Sequence, residues 1–118
     1  MSTKQTVVIA LGGNAITPKD EQGTIKQQFQ HTRESLKPIM HFIRRNYNIC
    51  ITHGNGPQVG DELRRHEIAS ETIPPLPLGV LVANTQGAIG YMIQQSLQNV
   101  LYNENSDREV VTFISQVK

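Results

Sequence analysis

Two short apolar runs rich in β-branched residues each stop at a turn of glycine and asparagine. TVVIAL, Thr6 to Leu11, runs into Gly12-Gly13-Asn14, and NICIT, Asn48 to Thr52, passes through His53 into Gly54-Asn55-Gly56. The first, a continuous apolar run bounded by glycine, predicts a strand buried on both faces, the pattern of a parallel sheet, and the second predicts another strand. Parallel neighbours need a crossover between them. The intervening residues supply one, with Ile25, Phe29, Leu36, Ile39, Met40 and Ile43 at helical spacings over Thr24 to Arg45. Pro38 lies inside that pattern and cannot donate its backbone bond, so a kink or break is expected near Lys37. After Pro57, well placed in a first turn, QVGDELRRHEIAS resumes helical spacing through Val59, Leu63 and Ile68. IPPLPLG, Ile73 to Gly79, reads as an extended connector, and a third helix follows through Leu81, Ala88, Ile89, Met92, Ile93, Leu97 and Leu101. EVVTFISQV, Glu109 to Val117, reads as a third strand. The order strand, helix, strand, helix, helix, strand predicts an α/β domain with a mostly parallel sheet, in which ligands lie at the carboxyl ends of the strands. Both glycine loops fall at that end and are expected to face one crevice.

Length and charge narrow the partners. A chain of 118 residues with 37% apolar and 18% charged content is expected to form one domain, residues 1–118, with a modest core. The net charge is +1, and Arg44-Arg45 and Arg64-Arg65 form no continuous basic stripe, which argues against nucleic acid. The opening MSTKQTVVIALGG lacks the long apolar stretch and cleavage site of a secretory leader, so a cytoplasmic protein without a membrane partner is expected. Cys50 is alone in its apolar run and reads as a small buried hydrophobe rather than a catalytic thiol.

Glycine lets backbone N–H groups approach a ligand with no Cβ in the way, and a helix that follows adds the positive end of its dipole. Such loops favour an anion. Asn14 and Asn55 would add neutral side-chain donors, and His53 a donor or a bond that orients its neighbours. With no strong general base, the set suits phosphoryl transfer, where catalysis is mostly positioning and charge stabilisation. The competing reading, that both loops are merely turns, stays open at this point. LGGNAI fits neither the dinucleotide fingerprint GxGxxG nor the phosphate loop GxxxxGK[ST]. Glu62 and His66 read as a solvated pair rather than a metal site, so no metal ligands are assigned; His31 and His41 receive no role. Gly87, Ala88 and Gly90 flank an apolar helix face that serves either the core or a subunit interface.

VVIALGGNAI, NICITHGNGPQVG, PPLPLGVLVANTQGAIGYMIQQSLQNVL and VVTFISQV together resemble the amino-terminal half of carbamate kinase, in the amino acid kinase family. The resemblance runs from about Thr6 to the last residue. It implies a three-layer αβα sandwich with a largely parallel sheet, a homodimer formed through the helix around Gly87 to Leu101, and reversible phosphoryl transfer between ATP and carbamate, giving carbamoyl phosphate. It also implies that Gly12, Gly13, Asn14, Gly54, Asn55 and Gly56 hold the carbamate side and the phosphoryl group in transit. Many members of the wider family carry a lysine two residues before the paired glycines; Ala10 at that position favours the carbamate branch over acetylglutamate or nucleotide-monophosphate kinases. The family's nucleotide pocket, the acidic residue near Mg2+ and the lysines that neutralise transition-state charge come from a carboxyl-terminal half that cannot be mapped onto this chain. The chain is therefore expected to be a fragment or truncated product, inactive by itself. Three readings remain: part of such a kinase, a non-catalytic module binding an anion or carbamoyl phosphate, and a structural remnant.

Overall fold

The protein is described by a computed structural model covering residues 3–117. Its elements are β1 (Thr6–Leu11), α1 (Gly13–Ile16), α2 (Ile25–Leu36), α3 (Ile39–Arg44), β2 (Asn48–His53), α4 (Gly56–Ala69) and α5 (Leu78–Asn103). The chain forms two compact units, divided between Gly54 and Asn55.

In the first unit β1 and β2 pair in parallel, with register from Thr6 opposite Asn48 to Leu11 opposite His53. The ladder runs on past the strands, since the Gly54 N–H donates to the Leu11 carbonyl at 3.0 Å. Ile16 of α1, Thr32 and Leu36 of α2, and Ile39 and Met40 of α3 make the buried core. The expected crossover helix is divided where Pro38 demands it: Lys37 closes α2, and Pro38, with φ −63°, opens α3. The start of α2 is closed by a reciprocal cap, in which the Thr24 hydroxyl accepts from the Gln27 N–H at 3.3 Å and Gln27 Oε1 accepts from the Thr24 N–H at 3.0 Å. Gly23, just before it, has φ +74°, and a Cβ there would press on Thr17 Cγ2 at 2.8 Å, so glycine is required twice over.

Two expectations about the strands need correction. β1 is not buried on both faces, and β2 is open in the same way. Exposure alternates along each, and the side chains of Thr6, Val8 and Ala10 lie with those of Asn48, Cys50 and Thr52 on an open face; Val8 is 65% exposed. Cys50 is accordingly exposed rather than buried.

In the second unit α4 packs against α5, whose inner face buries Leu81, Ile89, Met92, Ile93, Leu97 and Leu101, each removal from water contributing about 1.5–3 kcal/mol. α5 begins at Leu78, so Leu78 and Gly79 belong to the helix rather than to the proline-rich connector. Glu109 to Val117 does not form the expected strand; the described sheet has two strands. The segment lies instead along α5, held by glutamine amides that replace a neighbouring backbone. Gln86 donates to the Ser115 carbonyl at 3.0 Å and accepts from the Ser115 N–H at 2.8 Å. Gln98 likewise donates to the Arg108 carbonyl and accepts from the Val110 N–H, both at 3.0 Å. Between these clamps the Thr112 hydroxyl lies 2.8 Å from Gln94 Oε1 and 3.3 Å from the Gly90 carbonyl. Gly90 is small because its own chain passes there: an added Cβ would overlap Thr112 Cγ2.

Candidate functional site

Within the first unit the two loops meet. β1 delivers Gly12 and β2 delivers Gly54 at the same end of the parallel pair, and a Cβ built on Gly54 would sit 3.4 Å from the backbone nitrogen of Gly13. The Ala15 N–H donates to the Gly12 carbonyl and the Thr17 N–H to the Gly13 carbonyl, both at 3.0 Å, folding Gly13-Asn14-Ala15-Ile16 into the single turn of α1. Asn14 is exposed. His53, the last residue of β2, is half-buried; its Nδ1 is buried and has no hydrogen-bond partner among the described residues.

None of Gly12, Gly13, Gly54 and Gly56 has positive φ, so the glycines are not there for an unusual backbone angle. A Cβ on Gly12 or Gly56 would meet no atom within 4 Å, so packing does not require glycine there either. Gly60 and Gly79 are equally open but lie within helices, whereas Gly12 and Gly56 lie where strands hand over to helices. What glycine provides there is unobstructed access to backbone N–H groups.

The second unit opens on Asn55, the residue capping α4, followed by Gly56 and Pro57. The Asn55 side chain does not point its amide at open space. Nδ2 donates to Thr85 Oγ1 at 3.0 Å and to the Val82 carbonyl at 3.3 Å, both in α5. The expected side-chain donor is therefore engaged internally. Thr85 escaped notice in the sequence, although a polar residue four after Leu81 and four before Ile89, on the apolar stripe, is a signal that could have found it.

Elsewhere, Glu62 pairs with Arg65, and His66 Nδ1 lies 2.8 Å from the Glu62 carbonyl rather than its carboxylate. Among the described residues no three His, Cys, Asp or Glu side chains cluster to hold a metal. The loops offer amide donors, whereas Mg2+ takes oxygen ligands, so they do not fit that ion. A shallow cavity of about 310 Å³, lined by Thr3, Lys4, Gln5, Arg45, Asn46 and Tyr47, sits at the amino ends of the strands, opposite the glycine loops. No helix among the described residues is long and apolar enough to cross a membrane.

In α/β proteins with parallel strands, the carboxyl ends of the strands are where ligands lie, and comparison with known proteins gives the family. Residues 5–113 match the amino acid kinase family, and the chain belongs to it. It is similar to the carbamate kinase of Pyrococcus horikoshii, 45% identical over 114 residues that take in 95% of this chain and 36% of that protein. A carbamate kinase-like protein of Escherichia coli is 42% identical over 117 residues, 98% of this chain and 37% of that one. The solved carbamate kinase from Giardia lamblia bound to AMP-PNP matches with a TM-score of 0.84 at 38% identity, over 92% of this chain and 38% of that one. The α/β fold expected from the sequence is thus that of the carbamate kinases, and the match corresponds to their amino-terminal portion. The chain spans about 36% of the length of the first of these relatives.

Proposed function

We propose that this chain is the carbamate- and phosphoryl-binding part of a carbamate kinase-like phosphotransferase, working in the cytoplasm on the reversible reaction of ATP and carbamate to ADP and carbamoyl phosphate. Gly12, Gly13, Asn14 and Gly54, with Asn55 and Gly56 next in the chain, bind the carbamate side and the phosphoryl group in transit, while His53 orients the loop from behind. The observation that carries this reading is the approach of Gly54 to Gly13 at the carboxyl ends of two parallel strands, in a chain 45% identical to a carbamate kinase. Backbone N–H groups fixed in place stabilise charge without reorganising as it develops, which is most of what phosphoryl transfer asks of a protein.

These loops supply donors but no cation. A loose phosphoryl transition state spreads negative charge over oxygens that fixed cations must neutralise, and losing one commonly costs a factor of about a thousand or more. By family resemblance the nucleotide pocket, the lysines and the ligands of Mg2+ lie in the part of the relatives that this chain does not span. The 118 residues by themselves are therefore expected to bind an anion without turnover. A homodimer through the helix around Gly87 to Leu101 belongs to the same reading, although Gly90 is already approached by Thr112 of its own chain, so small residues alone do not argue for it.

The test has two arms. Titration of the chain with inorganic phosphate or carbamoyl phosphate should shift the amide resonances of Gly12, Gly13, Gly54 and Gly56 together, and Gly56→Val should weaken the effect. Absence of any coordinated shift would leave a structural remnant as the better reading. ATP formation from carbamoyl phosphate and ADP should be undetectable with the chain and clear with the Pyrococcus horikoshii carbamate kinase run beside it. Turnover by the short chain, abolished at Asn55, would refute the division of labour proposed.

A further inference from the structure

Resting on the anion-site reading of the glycine loops, we propose that Asn55 and Thr85 form a latch that presents the backbone N–H groups of Asn55 and Gly56 to the ligand. Thr85 is thereby a positioning residue of a site from which it is remote in sequence.

An asparagine in the capping position ordinarily turns its side-chain oxygen inward to accept from the second or third N–H of its helix. Asn55 holds that position for α4 and makes no such bond. Its side chain goes to α5 instead, and Thr85 Oγ1 and the Val82 carbonyl account for the two protons that an amide nitrogen can donate. A ligand at this loop is consequently met by backbone, not by the Asn55 amide. The N–H groups of Asn55 and Gly56 have no partner among the described residues. Pro57 has no N–H, and a Cβ on Gly56 would meet nothing, so the approach to these two donors is unobstructed.

Thr85 is built to receive Asn55. It is buried, at 3% exposure, and its hydroxyl proton is directed back along α5 to the Leu81 carbonyl at 2.9 Å, with the Val82 carbonyl at 3.0 Å. That leaves the oxygen's lone pairs for the Asn55 amide, and the α-helical backbone sets their direction. Flexible backbone donors lose entropy when an anion orders them, so a loop already held by α5 binds more tightly.

The experiment compares Thr85→Val, isosteric but without the oxygen, with Thr85→Ser, which restores it. Backbone order at Asn55 and Gly56 and the affinity for inorganic phosphate are read by NMR on the whole chain. Thr85→Val should leave the α5 resonances in place, lower the order of the Asn55 and Gly56 amides, speed exchange of the Asn55 side-chain amide, and weaken phosphate binding roughly 2- to 12-fold, the equivalent of one net hydrogen bond. Thr85→Ser should recover all four. If valine prevents folding, Asn55→Ala breaks the same latch from the half-buried side and should loosen Gly56 alike. Unchanged order at Gly56 in either folded variant, or undiminished phosphate binding after the latch is cut, overturns the proposal. Loss of order in a protein whose wild-type loop ignores phosphate would overturn the anion reading and leave the latch standing.

Discussion

Replacing Gly90 with alanine sets two opposing effects on different parts of the second unit. In the interior of α5 the change favours helix by about 0.8–1 kcal/mol, because glycine gives up more backbone freedom than alanine. The new Cβ, however, would overlap Thr112 Cγ2, and an exposed segment yields more readily than a buried helix. For the methyl group to fit, residues 110–115 must lift away, and the first bonds lost are those of the Thr112 hydroxyl to Gln94 and to the Gly90 carbonyl. Forcing one extra carbon into such a contact costs about 1–3 kcal/mol, here charged to local opening of the segment. In hydrogen exchange that is roughly a 5- to 150-fold loss of protection at the Val110 and Ser115 amides, which Gln98 and Gln86 hold. Amides in the middle of α5 should keep or gain protection. The assay is native-state exchange of wild type and Gly90→Ala under identical conditions. Unchanged protection at Val110 and Ser115 would refute the claim that Gly90 is small to let this segment pass.

Two further outcomes follow from single side chains. His31 has its pKa raised above the ordinary 6.5, chiefly by the hydrogen bond to Glu21 at 2.7 Å, which outweighs the opposing effect of desolvation, and to a lesser degree by the charges of Glu21 and Glu34. A raised folded-state pKa means stability that is fully present below about 6.5 and lost as pH rises through the folded value; denaturation midpoints of wild type should fall across that window, and those of His31→Gln should not. Cys50 lies on the open face of β2, so a thiol reagent should modify the native chain at nearly the rate of the denatured one; slow modification that requires unfolding would show the face to be covered.

The residues themselves determined the elements wherever the cause was local. Pro38 lacks the N–H that a continuous helix would need, so the division of α2 from α3 could be placed from the sequence, and Pro57 marked the first turn of α4. The two glycine loops were legible for a similar reason, as punctuation at the ends of β-branched runs, and the parallel pairing of those runs brings them to one end. What depended on distant neighbours was not legible. TVVIAL carries no alternation to say which side of the strand would be covered, so Val8 and Cys50 gave no sign that their face would be open. EVVTFISQV has the composition of a strand, but a strand exists only beside another backbone, and here the glutamine amides of α5 take that place. Asn55 looked like a ligand donor because its sequence neighbours are glycines; its amide is taken by Thr85 and Val82, whose position beside it is a consequence of helix packing. Backbone preferences act over a few residues and can be read along the chain, whereas a hydrogen bond is made by whichever partner folding brings within about 3 Å, and only the tertiary structure decides that.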